Sequence, residues 1–160
     1  MHNAFLYVQE QYNAVKDTRA VLLNFCATLS AEDFVKENHS FGRGGSVRNL
    51  LVHVANIYES WIGNETLKKN IVFTSFESKQ AVEEVKQLFE ETDKLMDTFL
   101  ELFKQDNPPP VMYESGGKPG SASLLKLFTH VITHEFHHKG QILSISRQMG
   151  YTPVDTDVIR

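Results

Sequence analysis

Apolar residues in this chain recur at three- and four-residue intervals along four long stretches, and nowhere do they alternate with polar ones. That pattern restricts the chain to helices packed on helices. In the first stretch Phe5, Val8, Tyr12, Val15, Leu22, Phe25, Cys26 and Leu29 follow one helical face, and Ser30 heads a short turn as its N-cap. Phe41-Gly42-Arg43-Gly44-Gly45 is a loop by its glycines. Ser46 then caps a second stretch that stacks Val47, Leu50, Leu51, Val54, Ile57, Tyr58 and Trp61 on one side. The third carries a stripe from Ala81 through Val85, Phe89 and Met96 to Phe103, with Glu and Lys opposite. The fourth starts at Ser121 or Ser123 and runs to Met149, where Gly150 supplies the stop. No segment has the period-two, β-branched character of a strand, so few or no strands are expected. The fold predicted is all-α, a four-helix bundle.

Residues 64–77 and 105–120 are long for helix hairpins, and the second holds Pro108-Pro109-Pro110 and Gly116-Gly117. Such links allow helices that are not neighbours in space to follow one another. With 160 residues a sizeable core forms without disulfides, and one domain over 1–160 is predicted, its tail from Tyr151 to Arg160 laid against the bundle or a partner. A formal net charge of −4 gives no basic footprint, which argues against nucleic acid. Nowhere do eighteen apolar residues run together, and Met1-His2-Asn3-Ala4-Phe5 lacks the basic start of a signal peptide, so no membrane span or secretion is expected. Cys26 is the sole cysteine, on an apolar face, which suits a reducing cytoplasm and an inert buried thiol.

Chemistry concentrates in His130-Val131-Ile132-Thr133-His134-Glu135-Phe136-His137-His138. Imidazoles four residues apart lie one turn apart on a helix and can converge on one ion. At about 100° per residue, His134 and His138 straddle the edge of the core-facing arc, while His130 and His137 point outward. His53 occupies the matching edge of the second helix, beside Leu50 and Ile57. Three imidazoles at the rim of a bundle would be costly to desolvate alone, and a shared cation removes that cost. Three protein ligands also leave a coordination position open, the pattern of a catalytic site.

Ser46-Val47-Arg48-Asn49-Leu50-Leu51-Val52-His53-Val54-Ala55-Asn56 with Trp61, and His130 through Ile142, resemble the second-helix and fourth-helix signatures of the DinB-like family. The resemblance implies a four-helix bundle, usually dimeric, that holds a divalent metal on three histidines. Carried over position by position, those are His53, His134 and His138. Lys139 stands where an arginine is more often seen, and it touches no ligand position. Relatives of the family include bacillithiol-dependent transferases and mycothiol-dependent isomerases, so a low-molecular-weight thiol is an implied cofactor.

His134-Glu135-Phe136-His137-His138 also satisfies His-Glu-x-x-His, in which the glutamate is a general base for a zinc protease. That reading needs a third ligand downstream. The extended form wants Gly at 141 and His at 144, where this chain has Gln141 and Ser144, and no Glu follows Glu135. Glu135 remains a candidate base, a partner to the ligands, or a buried hydrogen-bonding group. Gln141 is a candidate contact for a metal-bound water or substrate, or a surface residue. Asn49 and Asn56 flank His53 by one turn and could fix its tautomer, though a solvated helix face is the simpler reading. Gly42-Arg43-Gly44-Gly45 could hold an anion but reads more simply as a loop, and His2 and His39 read as surface residues.

The function expected is that of a metal-dependent thiol S-transferase acting on a small electrophile, with zinc, nickel or a similar ion. A metal-dependent hydrolase of a small substrate and a non-catalytic metal- or ligand-binding bundle are the alternatives. The apolar arc of the fourth helix, from Leu127 through Val131 and Phe128 to Ile132 and Leu143, is broad for one bundle and is the ground for expecting a homodimer.

Overall fold

The computed structural model describes residues 3–38, 40 and 45–160. His2, His39 and residues 41–44 of the glycine loop lie outside the described residues, and with them the anion-holding reading of that loop. Helix α1 spans Asn3–Cys26, α2 Ala31–Val35, α3 Val47–Tyr58, α4 Val82–Leu100 and α5 Leu124–Gln148. The serines read as N-caps do that work. Ser30 Oγ accepts from the Asp33 amide at 3.1 Å, Ser46 Oγ from Asn49 at 3.0 Å, and Ser123 Oγ from Lys126 at 3.2 Å. Each satisfies an amide the first turn leaves unpaired. At the start of α4 the carboxylate of Glu84 instead reaches back to the amides of Gln80 and Ala81, at 2.6 and 3.2 Å.

Both α1 and α3 pack against α4 and α5, so α1 lies diagonally across the bundle from α3. The chain therefore crosses the bundle after α1 and again after α4; the long 105–120 link serves the second crossing, whereas the 64–77 link joins the neighbours α3 and α4. Tyr12, Tyr58, Phe99 and Phe128 lie wholly inside, at 1% exposure or less. Leu127, Phe128, Val131 and Ile132 are buried within the one chain. Most of the α5 arc is thus met inside the bundle, by α1 on one flank and α3 on the other, while Leu143 at its end is half-buried.

Helix α3 does not end at Tyr58 but widens into a π-helix over Glu59–Thr66. Beyond it the chain doubles back along α3. Asn64 exchanges two hydrogen bonds with the Ile71 backbone, and Asn56 exchanges two with Thr74. A Cβ on Gly63 would come within 2.6 Å of Ile71, so the returning segment lies close over the π-turn.

The 105–120 connection holds more structure than its composition suggested. Strands β1, Val111–Ser115, and β2, Lys118–Ala122, pair antiparallel from Val111↔Ala122 to Ser115↔Lys118. Gly116 and Gly117 close the hairpin at φ 59° and 74°, the positive angles that a two-residue type I′ turn demands. The Gly-Gly pair was the available signal, outweighed by the absence of alternation on either side of it. The tail is pinned at Tyr151, whose hydroxyl accepts from the Ser30 amide at 3.1 Å and donates to Asp33 at 2.7 Å. No helix among the described residues is long and apolar enough to cross a membrane.

Candidate metal centre

His53 projects from α3, and His134 and His138 from successive turns of α5. These two helices pack together, and all three side chains are half-buried. His134 Nε2 lies 3.1 Å from His53 Nε2 and 3.0 Å from His138 Nε2. Three imidazole nitrogens bound at ~2.1 Å to one ion, in tetrahedral or octahedral geometry, stand roughly 3.0–3.4 Å apart. The observed spacing fits that set.

Hydrogen bonding alone accounts poorly for the cluster. His138 Nδ1 donates to Gln141 Oε1 at 2.7 Å, and the Gln141 amide nitrogen donates to His137 Nε2 at 3.2 Å. An amide oxygen only accepts, so neutral His138 carries its hydrogen on Nδ1 and presents a bare lone pair at Nε2. His134 Nε2 can hold a single hydrogen, or none. One of its two close contacts therefore lacks a hydrogen on the line between the nitrogens. A cation meeting all three lone pairs resolves the conflict.

Electrostatics keeps the imidazoles in the metal-binding form. Burial, followed by the neighbouring rings of His138 and His53, pushes His134 down to about 4. Burial also lowers His138, opposed by its hydrogen bond to Gln141, and lowers His130. Neutral imidazole is the state that ligates.

His130 and His137 stay outside the triad, as the helical wheel predicts, though each ring touches it. His130 lies 5.8 Å from His134 and His137 lies 5.0 Å from His138, centroid to centroid. Gln141, a candidate contact for a metal-bound water or substrate, orients a triad imidazole.

Glu135 turns away into the core, so of the readings left open for it the buried hydrogen-bonding group is the one the geometry realises. Its two oxygens accept from Arg19 Nε and Nη2, each at 2.9 Å, and from the Tyr58 hydroxyl at 2.7 Å. Arg19 also donates to Asp93 at 2.7 Å and lies over the Phe89 ring. Lys139, only 2% exposed, donates to Thr18 Oγ1 and sits 4.0 Å above the Phe136 ring, and burial lowers its ammonium to about 8. The sequence reading missed this network. Its signal was Arg19, a charge on the apolar stripe between Val15 and Leu22, where a buried counter-charge is required.

The two asparagines beside His53 are not a solvated face. Asn49 is 3% exposed and accepts from Arg48 Nε, and Asn56 is committed to the Thr74 backbone. Trp61, expected in the core stack, is half-buried against His130 and Tyr113 at 5.1 and 5.0 Å. In a regular α-helix Trp61 would point about 80° away from His53. Three residues wound at roughly 80° each in the π-helix reduce that to about 20°. The π-turn therefore brings the indole to the histidine face.

Fold and site together define a helical bundle with a three-histidine cluster that could hold a metal ion. A sequence profile of the DinB family matches residues 1–160, and the chain belongs to that family. It is similar to the uncharacterized protein YizA of Bacillus subtilis (strain 168), with 27% identity over 141 residues, 84% of this chain and 83% of YizA. It is also similar to Protein DinB of the same organism, with 26% identity over 119 residues, 70% of this chain and 69% of that protein.

Proposed function

We propose that His53, His134 and His138 hold one divalent ion, zinc or nickel in kind, through their Nε2 atoms. We further propose that the protein is a metal-dependent thiol S-transferase acting on a small electrophile. The observation that carries this reading is the spacing of Nε2 atoms, 3.1 and 3.0 Å from His134 to its neighbours, around a lone pair that Gln141 fixes on His138. When bound, such an ion supplies a Lewis acid that lowers the pKa of a thiol or a water in its open position. Three neutral imidazoles leave the ionic charge unbalanced, which favours an anionic partner.

Two features of the chain favour a thiol over water. The metal-ligand cluster consists of three histidines with no carboxylate, and Glu135 is held by Arg19 and Tyr58, so among the described residues no carboxylate base joins the ligands to activate a water. A thiol, with its lower intrinsic pKa, has less need of one. Cys26 cannot supply the sulfur, being fully buried with its thiol pushed up to about 12 by burial. The sulfur therefore comes from a low-molecular-weight thiol. It forms the new carbon–sulfur bond, the leaving group departs with the bonding pair, and the thiol proton passes to water.

Metal analysis of the protein as purified, followed by thiol conjugation to 1-chloro-2,4-dinitrobenzene with and without chelator, tests this. Conjugation that needs the metal and is lost in His134→Ala is the expected result. Ester or amide turnover without conjugation would make the protein a hydrolase. Metal uptake with neither reaction would make it a binding module.

A further inference from the structure

A strip of aromatic rings leads away from the histidine cluster. Tyr113 on β1 faces Gly120 on β2, where an added Cβ would lie 2.6 Å from the tyrosine ring. Glycine at 120 therefore lets that ring lie flat across the hairpin. Tyr113 meets Trp61 at 5.0 Å and 79°, Trp61 meets His130 at 5.1 Å and 75°, and His130 meets His134 at 5.8 Å. Four rings from three separate parts of the chain thus run unbroken from the hairpin to a proposed metal ligand.

This strip packs on the edge of the core rather than inside it. Trp61 and Tyr113 are half-buried and His130 is exposed, whereas the core tyrosines Tyr12 and Tyr58 are at 1% and 0%. The indole N–H, the Tyr113 hydroxyl and the His130 ring nitrogens have no hydrogen-bond partner among the described residues. The contacts made by Trp61 are edge-to-face, so neither neighbour is stacked flat on it, and the partial exposure of the three rings leaves surface open to a ligand. Partly open ring faces with unpaired polar edges, set beside a reactive centre, have the character of a ligand-binding wall.

We infer that Tyr113, Trp61 and His130 form the substrate wall of the histidine site and take a planar, conjugated electrophile whose ring stacks on them. The inference rests on the reading that chemistry takes place at the triad. Offset stacking favours a flat π-system over an aliphatic chain of similar size, and the unpaired N–H and O–H groups suit electron-rich substituents such as nitro or carbonyl oxygens. The π-turn of α3 and the Gly-Gly hairpin supply two of the three rings, which gives both irregular elements a shared purpose.

Trp61 is the only tryptophan in the chain, so its fluorescence reports on this wall alone. The experiment titrates 1,3-dinitrobenzene, a planar and unreactive quencher, into the metal-free full-length protein. Saturable quenching is expected, weakened about ten-fold in His130→Ala and Tyr113→Ala but kept in Tyr113→Phe. Gly120→Ala, which displaces the Tyr113 ring without removing it, should copy Tyr113→Ala while the helical circular dichroism is unchanged. In the metal-loaded enzyme, Tyr113→Ala should raise KM for 1-chloro-2,4-dinitrobenzene about ten-fold and leave that for iodoacetamide alone. Linear, non-saturating quenching that is equal in wild type and variants overturns the inference, even if His134-dependent metal binding is found. Saturable quenching without any metal uptake upholds the wall and overturns the proposed reaction.

Discussion

Glu135, at 3% exposure, is the carboxylate that receives Arg19 through two 2.9 Å bonds and lies close enough to Lys139 to hold its ammonium charged. Glutamine at 135 keeps the shape and removes the charge. Lys139, already lowered to about 8 by burial, then loses the attraction that opposes that burial and is neutralised more readily, so most of the penalty falls on Arg19. Breaking a buried ion pair from one side costs about 3–5 kcal/mol. Arg19 keeps its 2.7 Å bond to Asp93, itself 30% exposed, and an amide oxygen can still accept one guanidinium hydrogen. The loss should therefore sit near the low end, about 3 kcal/mol. For a chain of this size that lowers the melting temperature by about 6–12 °C. Thermal melts by circular dichroism, paired with zinc stoichiometry on the same samples, measure both consequences. Zinc binding at 25 °C should be unaltered, because Glu135 makes no bond to the triad. A melt within a degree or so of wild type would refute the reasoning. So would a fully stable variant that binds zinc and has lost all activity, since the glutamate would then be acting on substrate as His-Glu-x-x-His supposes.

Gln141→Leu removes the bond that fixes the His138 tautomer and should weaken zinc affinity about 10–100-fold, read by competition with a chromophoric chelator. Zinc at a hundred-fold excess over its Kd should stabilise the fold by about 2.7 kcal/mol, or roughly 5–11 °C. His134→Ala should abolish that rise and His137→Ala should retain it. In the metal-free protein His134 is lowered from 6.5 to about 4, so the unfolded chain binds the extra proton between those values. Stability should accordingly fall as pH drops from 6.5 toward 4, and a series of melts across that window should show a shallower decline in His134→Gln. Equal slopes would show that the imidazole is not held neutral by its surroundings.

The helices, their serine caps and the edge position of three histidines were legible because each is a local property. Ser30, Ser46 and Ser123 bond amides three residues on, and His134 and His138 lie one turn apart on any helix built from their segment. That His53 belongs with them was read from its matching edge on α3 and from the family resemblance, and the packing of α3 on α5 brings it there. The π-turn, the loop folded back on Asn56 and Asn64, and the burial of Arg19, Glu135 and Lys139 were not legible. Each depends on partners distant in sequence: Glu135 lies 116 residues from Arg19, and the Asn56–Thr74 pairing spans 18. By itself, then, the sequence determined which faces were apolar, where helices begin, and which imidazoles could share one ion. Only the tertiary structure decided that Glu135 turns inward rather than toward the histidines. The reason is that a charge on an apolar stripe, Arg19, must find its counter-charge wherever the other helices present one, and α5 presents it here.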